Sequence, residues 1–202
     1  RQTCGKQCSD YYSRGCSYTR TTGIWQTVWM EAAATQGLRD CRITPDLDGG
    51  RFIVEPRFIS AARGLTFRVA VSDGASVVAS AEVPAADGRP CDVRLSRPQS
   101  WSPASPFLYE LTLQVLDSAG AVVDSVRSYA GLRKVHVEGD RILLNNEPIY
   151  LRLVLDQGFY PDGIWTAPGD DVLRRDIELS MAAGFNGARL HQKVFEERFH
   201  YW

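Results

Sequence analysis

The stretch DQGFYPDGIWTAPG, residues 156 to 169, gathers two carboxylates, a carboxamide, a phenol and an indole into one segment punctuated by proline and glycine. Asp156 and Asp162 can accept from a bound polar molecule, Gln157 can accept or donate, and Tyr160 adds a ring with a hydroxyl. Ahead of it, Ile149 to Leu155 is an apolar run broken only by Arg152, the pattern of a strand buried on both faces of a parallel sheet. Behind it, Leu173, Ile177 and Met181 recur at four-residue spacing. A connection between strand and helix usually takes about 2 to 6 residues, so this longer one reads as a binding loop.

The elements that must position the loop follow from the same patterning. Asp170 is the expected N-cap and Gly184 the left-handed C-terminal position of a helix over residues 171–183. Phe185 to Leu190 then reads as a second strand, which gives a strand–helix–strand parallel unit of right-handed connection. Two strands cannot bury their faces alone. Upstream, residues 38 to 133 read as short strands. Leu65, Phe67, Val69 and Val71 alternate with polar or small residues, as do Tyr109, Leu111, Leu113 and Val115. Arg51 to Phe58, Ser76 to Val83, Cys91 to Leu95 and Val122 to Ser128 are further strands, separated by DGG, SDG, AADGRP and DSAG turns. About seven strands in that length suit an immunoglobulin-like β-sandwich, although the antibody pattern of Cys, Trp and Cys is missing.

With 44% hydrophobic and 23% charged residues, the 202-residue chain has material for packed domains. The formal net charge is -1 and the arginines are scattered, so there is no footprint for nucleic acid or an anionic membrane. No apolar run reaches the roughly 20 residues that span a bilayer. Cys4, Cys8 and Cys16 lack the paired knuckles and the fourth ligand of a zinc site, so no metal is expected. Cys41 and Cys91 could face each other or remain buried thiols. The opening RQTCGKQCSD has no initiator Met and no apolar signal core, and the closing GFNGARLHQKVFEERFHYW ends without a cap. Both ends read as interior to something longer, and neither assigns a compartment.

The stretches TTGIWQTVWME (21–31), WSPASPFLYELTLQV (101–115), YAGLRKVHVEGDRILLNNEPIYLRLV (129–154) and GFNGARLHQK (184–193) resemble, in order, signature segments of glycoside hydrolase family 2, which includes β-galactosidases and β-glucuronidases. The resemblance implies a mainly β chain in three parts. Residues 1–37 would end a jelly-roll sugar-binding domain, 38–133 would be the immunoglobulin-like β-sandwich, and 134–202 would begin an incomplete (β/α)8 barrel. It implies a carbohydrate partner and a retaining mechanism with two Glu residues; no cofactor is assigned to this chain, and the cation ligands of some family members fall in parts outside it. Both Glu residues are expected on later barrel strands, so no catalytic residue is assigned within this chain.

The resemblance also sorts the polar residues. Barrel active sites lie at the C-terminal ends of the strands. Asn146-Glu147 imitates the family's acid/base pair but precedes the first barrel strand, where a hairpin turn belongs. Asp156, Gln157, Tyr160 and Asp162 follow strand one, and Arg189, His191 and Gln192 end strand two. Arg189 corresponds to the family's second-strand Arg, which would hold the nucleophile ionised and oriented. His191 sits one position earlier than the His of the relatives' Arg-x-Ser-His-Tyr-Pro, and Asp156 replaces a loop that reads Asn-Arg-His-Glu in many β-galactosidases. Leu153 stands where the family's Leu-Arg-Gly has Gly, which puts close packing at strand one in doubt. Trp101, Trp165 and Tyr160 are rings that could stack on sugar, Trp101 reading better as an interface anchor.

The second reading, of a different class, is a non-catalytic sandwich module for sugar binding or scaffolding. Bare apolar positions at Val154, Leu155, Ile177, Leu190 and Val194 imply that the isolated chain self-associates, which leaves a homo-oligomer open.

Overall fold

A computed structural model describes residue 5 and residues 7–202; Cys4 of the cysteine cluster lies outside the described residues. The chain divides into two compact units, Glu31–Ile149 and a second made of the residues up to Met30 with Tyr150–Trp202.

In the first unit, strands β1 (Leu38–Asp46), β2 (Arg51–Phe58) and β5 (Cys91–Arg94) form one antiparallel sheet in the order β1-β2-β5. Strands β3 (Thr66–Asp73), β4 (Ser76–Pro84), β6 (Tyr109–Leu116) and β7 (Val122–Ala130) form the other, in the order β4-β3-β6-β7. The period-two pattern does what it predicts. Phe67, Val69 and Val71 of β3 and Leu111, Leu113 and Val115 of β6 are buried in one cluster with Phe52, Val54 and Val93 of the opposite sheet. Register places Val69 opposite Leu113, so large side chains stack in layers across the sheet. Each such side chain contributes on the order of 1.5–3 kcal/mol through burial, and this cluster is what holds the sandwich shut.

Tyr109, the first residue of β6, is buried and its hydroxyl accepts the Gln99 backbone N–H at 2.7 Å. That ties the strand's start to the preceding loop, in the manner of a tyrosine corner. Strand β1 was not resolved as a separate strand from its sequence, LRDCRITPD, because its charges and Pro45 break the alternation. It is an edge strand, where a missing N–H costs no ladder bond. Cys91 is a buried free thiol and Cys41 a half-buried one, so the two do not form a disulfide.

A small hairpin completes this unit: β8 (Val135–Glu138), β9 (Arg141–Leu144) and β10 (Glu147–Pro148), all antiparallel. Asn145 and Asn146 have φ of 53° and 69°, and Glu147 pairs with Leu144. Two successive left-handed residues make the primed two-residue turn that Asn tolerates.

In the second unit, β11 (Leu153–Asp156) and β12 (Gly187–Leu190) pair in parallel, with α1 (Asp170–Ala182) between them in sequence and α2 (Glu197–Tyr201) after them. The first strand starts at Leu153 and not at Ile149. Asn186 intercepts the backbone there, its Oδ1 accepting from the Arg152 N–H and its Nδ2 donating to the Tyr150 carbonyl. For the same reason the second strand begins at Gly187 and not at Phe185. The cap of α1 is also corrected: Gly169 is the N-cap, and Asp170 is a first-turn carboxylate bonded to Arg198. At the other end Gly184 has φ of 86°, its N–H reaches the Met181 carbonyl and the Phe185 N–H reaches Ser180, which is a Schellman closure.

Leu153 finds its room on the partner strand. A Cβ at Gly187 would stand 2.8 Å from Leu153 Cδ2, so the bulk of Leu153 on β11 is accommodated by the glycine opposite it on β12. The core of this unit is small: Tyr160, Ala167, Leu173, Phe195 and Phe199. Leu155 remains 51% exposed and Met181 57%. Among the described residues, no helix is long and apolar enough to cross a membrane.

Candidate functional site

The polar residues at the ends of β11 and β12 come together because the parallel register brings Asp156 opposite Leu190. The His191 N–H donates to the Asp156 carbonyl at 2.9 Å, extending the ladder by one step beyond β12. The His191 Nδ1 then lies 3.3 Å from Gln157 Oε1. Asp156 turns its own Oδ1 back to accept the Gly158 N–H at 2.7 Å, an Asx turn that starts the long loop. A carboxylate, a carboxamide and an imidazole thus share one rim, each with hydrogen-bonding capacity for the hydroxyls of a polar ligand.

The other sequence-predicted residues are placed differently. Arg189 is exposed on β12, paired in register with Leu155, and makes no hydrogen bond or ion pair among the described residues. Asp162 is exposed at the tip of the loop, on a turn closed by the reciprocal backbone bonds of Tyr160 and Ile164. Tyr160 is only 6% exposed and belongs to the core, so its ring is packing more than platform. Burial, with the negative charges of Asp176, Asp156 and Glu196 adding to it, pushes its phenol up to about 12. Burial likewise raises the Asp176 carboxyl, with Asp156 contributing. Gln192 takes a left-handed φ of 55° directly after His191, a conformation that costs a non-glycine residue and turns the chain sharply away from β12.

Asn146-Glu147 is a turn in structure as in pattern. The Asn146 amide donates to Asp48 Oδ1 at 2.9 Å, the Asn145 amide donates to the Trp101 carbonyl, and Glu147 is exposed on the hairpin. Trp101 is itself occupied: the Arg133 guanidinium lies 4.6 Å above its ring, and Gly131 leaves the space that its Cβ fills. Among the described residues no group of three or more His, Cys, Asp or Glu side chains could hold a metal ion. A cavity of about 320 Å³ in the second unit is lined by Gln26, Thr27, Trp29, Glu196, Glu197 and Arg198, and none of the rim residues borders it.

Sequence reasoning passed over Lys193 and Trp25. Lys193 Nζ donates to the Gly158 carbonyl at 2.5 Å and the Trp165 carbonyl at 2.7 Å, and Trp165 meets Trp25 edge-on at 5.4 Å. Burial lowers the Lys193 ammonium to about 8, against the opposing pull of Glu196 and Asp156. One signal was available: only Lys6, Lys134 and Lys193 of the 23 Lys and Arg residues are lysine.

Comparison with known proteins supplies the frame. Residues 37–133 match the family model of the glycosyl hydrolases family 2. A β-galactosidase of Aeromonas hydrophila is 29% identical over 148 residues, which cover 66% of this chain and 14% of that protein. A β-galactosidase of Photobacterium profundum is 29% identical over 185 residues, covering 83% of this chain and 18% of that protein. The chain therefore spans less than a fifth of the length of these relatives. Among solved structures, the fold resembles a β-glucuronidase of Ruminococcus gnavus in complex with uronic deoxynojirimycin, with a TM-score of 0.67, 23% identity, and coverage of 81% of this chain and 27% of that one.

Proposed function

We propose that the chain is part of a family 2 glycoside hydrolase that cleaves the O-glycosyl bond of a β-glycoside. In this reading residues 1–37 end a sugar-binding domain, 38–133 form the supporting sandwich, and 134–202 begin the catalytic barrel. The observation that carries it is continuity. A single alignment of 185 residues to one β-galactosidase covers 83% of this chain, more than the sandwich unit Glu31–Ile149 alone can supply. Similarity confined to the sandwich would have suited a scaffold module equally well.

The chemistry proposed is double displacement. A retaining glycosidase needs an acid/base and a nucleophile with carboxyl groups roughly 5–5.5 Å apart. Asn146-Glu147 is spent on a turn, and both Glu residues are proposed to lie on later strands of the parent protein. The residues present have supporting roles. Arg189, exposed and without an ionic partner among the described residues, is available to hold a nucleophilic carboxylate ionised by charge-assisted hydrogen bonding. Asp156, Gln157 and His191 would contact sugar hydroxyls from the rim, Asp162 from the loop tip, and Tyr160 would hold the loop's base.

The test is the coding sequence that follows the codon for Trp202, with the longer product assayed on aryl β-galactosides and β-glucuronides. An Asn-Glu pair and a second Glu at barrel spacing, with turnover of either substrate, are expected. The 202 residues alone should show no turnover above buffer. Turnover by them would overturn the assignment of catalysis to later strands, and an extended product inert on both substrates would overturn the glycosidase reading.

A further inference from the structure

Lys193 is surrounded in a way that a solvated lysine is not. Its Nζ lies 4.8 Å from the centroid of Trp25, 5.0 Å from Phe195, 5.4 Å from Tyr160 and 5.9 Å from Trp165. All four are within the range of attraction between a cation and a ring face. Two of its three N–H donors are spent on the carbonyls of Gly158 and Trp165. Those carbonyls are seven residues apart in the loop that follows β11, so one side chain ties two points of the loop together like a cross-brace. The site is shaped for it. Gly158 has φ of 60°, and a Cβ there would stand 2.8 Å from Lys193 Cδ and Nζ. The third segment is held as well: Thr166 Oγ1 donates to the Trp25 carbonyl at 2.5 Å, and the Gln26 amide donates to the Val194 carbonyl at 3.0 Å.

We infer that Lys193 is the positioning residue of the rim, its amino group pinning Gly158 and Trp165 together inside a ring of aromatic side chains and so fixing Asp156, Gln157 and Asp162 relative to His191. It touches no rim group directly, and its effect on a sugar rests on the rim reading above. Backbone carbonyls in a loop are weak anchors when solvated. Four rings that partly shield the ammonium from water strengthen both hydrogen bonds relative to a solvated loop.

The test compares amide hydrogen exchange in the 202-residue chain and its Lys193→Met and Lys193→Arg variants. Met fills a similar volume with no donor and no charge; Arg keeps both. In the Met variant, amides over residues 158–166 should exchange about tenfold or more faster, with β3, β6 and α1 unchanged, and Arg should restore protection to within about threefold. Unchanged loop exchange in the Met variant overturns the inference. So does an Arg variant as open as Met, or opening of α1 to the same extent as the loop, which would make Lys193 a general core residue. Shifts of the Gln157 and His191 signals on adding methyl β-galactoside or methyl β-glucuronide separate the two claims. A parent chain that gives none weakens the sugar reading while the exchange result still decides the role of Lys193.

Discussion

The two units spend their apolar residues in opposite ways. In the sandwich, every second residue of β3 and β6 is buried, and the two sheets close on one cluster. In the parallel unit, Leu155 and Met181 lie on open faces, and the buried cluster is five residues, all of them outside the two strands. The difference is one of partners. An antiparallel sheet needs a single facing layer, which the sandwich carries within itself, whereas a parallel sheet needs cover on both faces. What holds the parallel unit is therefore local. It depends on a Schellman closure, an Asn that bridges two strands, and a lysine braced across a loop.

The sharpest way to break this comparison is to cut matched leucines. Leu111→Ala in β6 should destabilise the sandwich by about 3–5 kcal/mol, because a fully buried side chain leaves a cavity with close-packed walls. Leu155→Ala in β11 should change stability by under about 0.5 kcal/mol, since half the side chain is already in water. Urea unfolding followed by circular dichroism reads both. Equal losses would mean that Leu155 is covered in solution by a second copy. Light scattering tests that directly, and Leu155→Lys should shift a self-associated sample toward monomer.

A smaller effect separates the two buried tyrosines. Tyr109→Phe leaves the Gln99 N–H without its acceptor and should cost about 1–2 kcal/mol in urea unfolding. Tyr160→Phe removes a hydroxyl that has no hydrogen-bond partner among the described residues, so stability should move by less than about 0.5 kcal/mol. A large loss at Tyr160 would show that its phenol is bonded to something in solution and would return it to the list of rim groups.

The same contrast governs how much was legible beforehand. Strands β2 to β7 were readable because burial on one face imposes a period of two, and a one-residue slip would expose every core side chain. The turn at Asn146 was placed by resemblance, and it holds because asparagine accepts two left-handed conformations in succession at Asn145 and Asn146. The parallel unit was readable in kind but not in its limits. Asn186 stops both strands short through side-chain bonds to Tyr150 and Arg152, and nothing in its local sequence separates it from any other loop asparagine. The choice of Gly169 over Asp170 as cap turned on Arg198, 28 residues away, which takes the Asp170 carboxylate. Of the rim, the strand ends were foreseeable and the contact of Gln157 with His191 follows from them. Lys193 was not, because its partners at positions 25, 158 and 165 meet it only after the chain has folded.

The smallest predicted effect is a pH dependence, and a rise of stability with pH arises in the parallel unit alone. Burial holds the folded Lys193 near 8, below the ordinary lysine value of 10.5, with Glu196 and Asp156 as the charges opposing that shift. Between those values the unfolded chain binds more of this proton than the folded chain does, so stability rises with pH. Cys91, which burial raises from 9.0 to about 11, works the other way. Its thiol ionises first in the unfolded chain, so it lowers sandwich stability increasingly as pH climbs through 9. Tyr160 does the same in the parallel unit above 10, its phenol standing near 12 when folded. From pH 8 to 9, Lys193 therefore raises the stability of the parallel unit while Cys91 begins to lower that of the sandwich. The rise should be a fraction of the roughly 1.4 kcal/mol per pH unit that a whole proton gives, since the side chain is only half-buried and solvent screens it. Exchange-derived opening free energies of the amides over residues 158–166, corrected for intrinsic rates, should rise across that interval in the parent chain and stay flat in Lys193→Met, with β6 showing no rise in either. A rise that persists in the Met variant would assign the titration to another group, and a fall in the parent chain would mean that the two carbonyls and four rings hold the cation more tightly than water does.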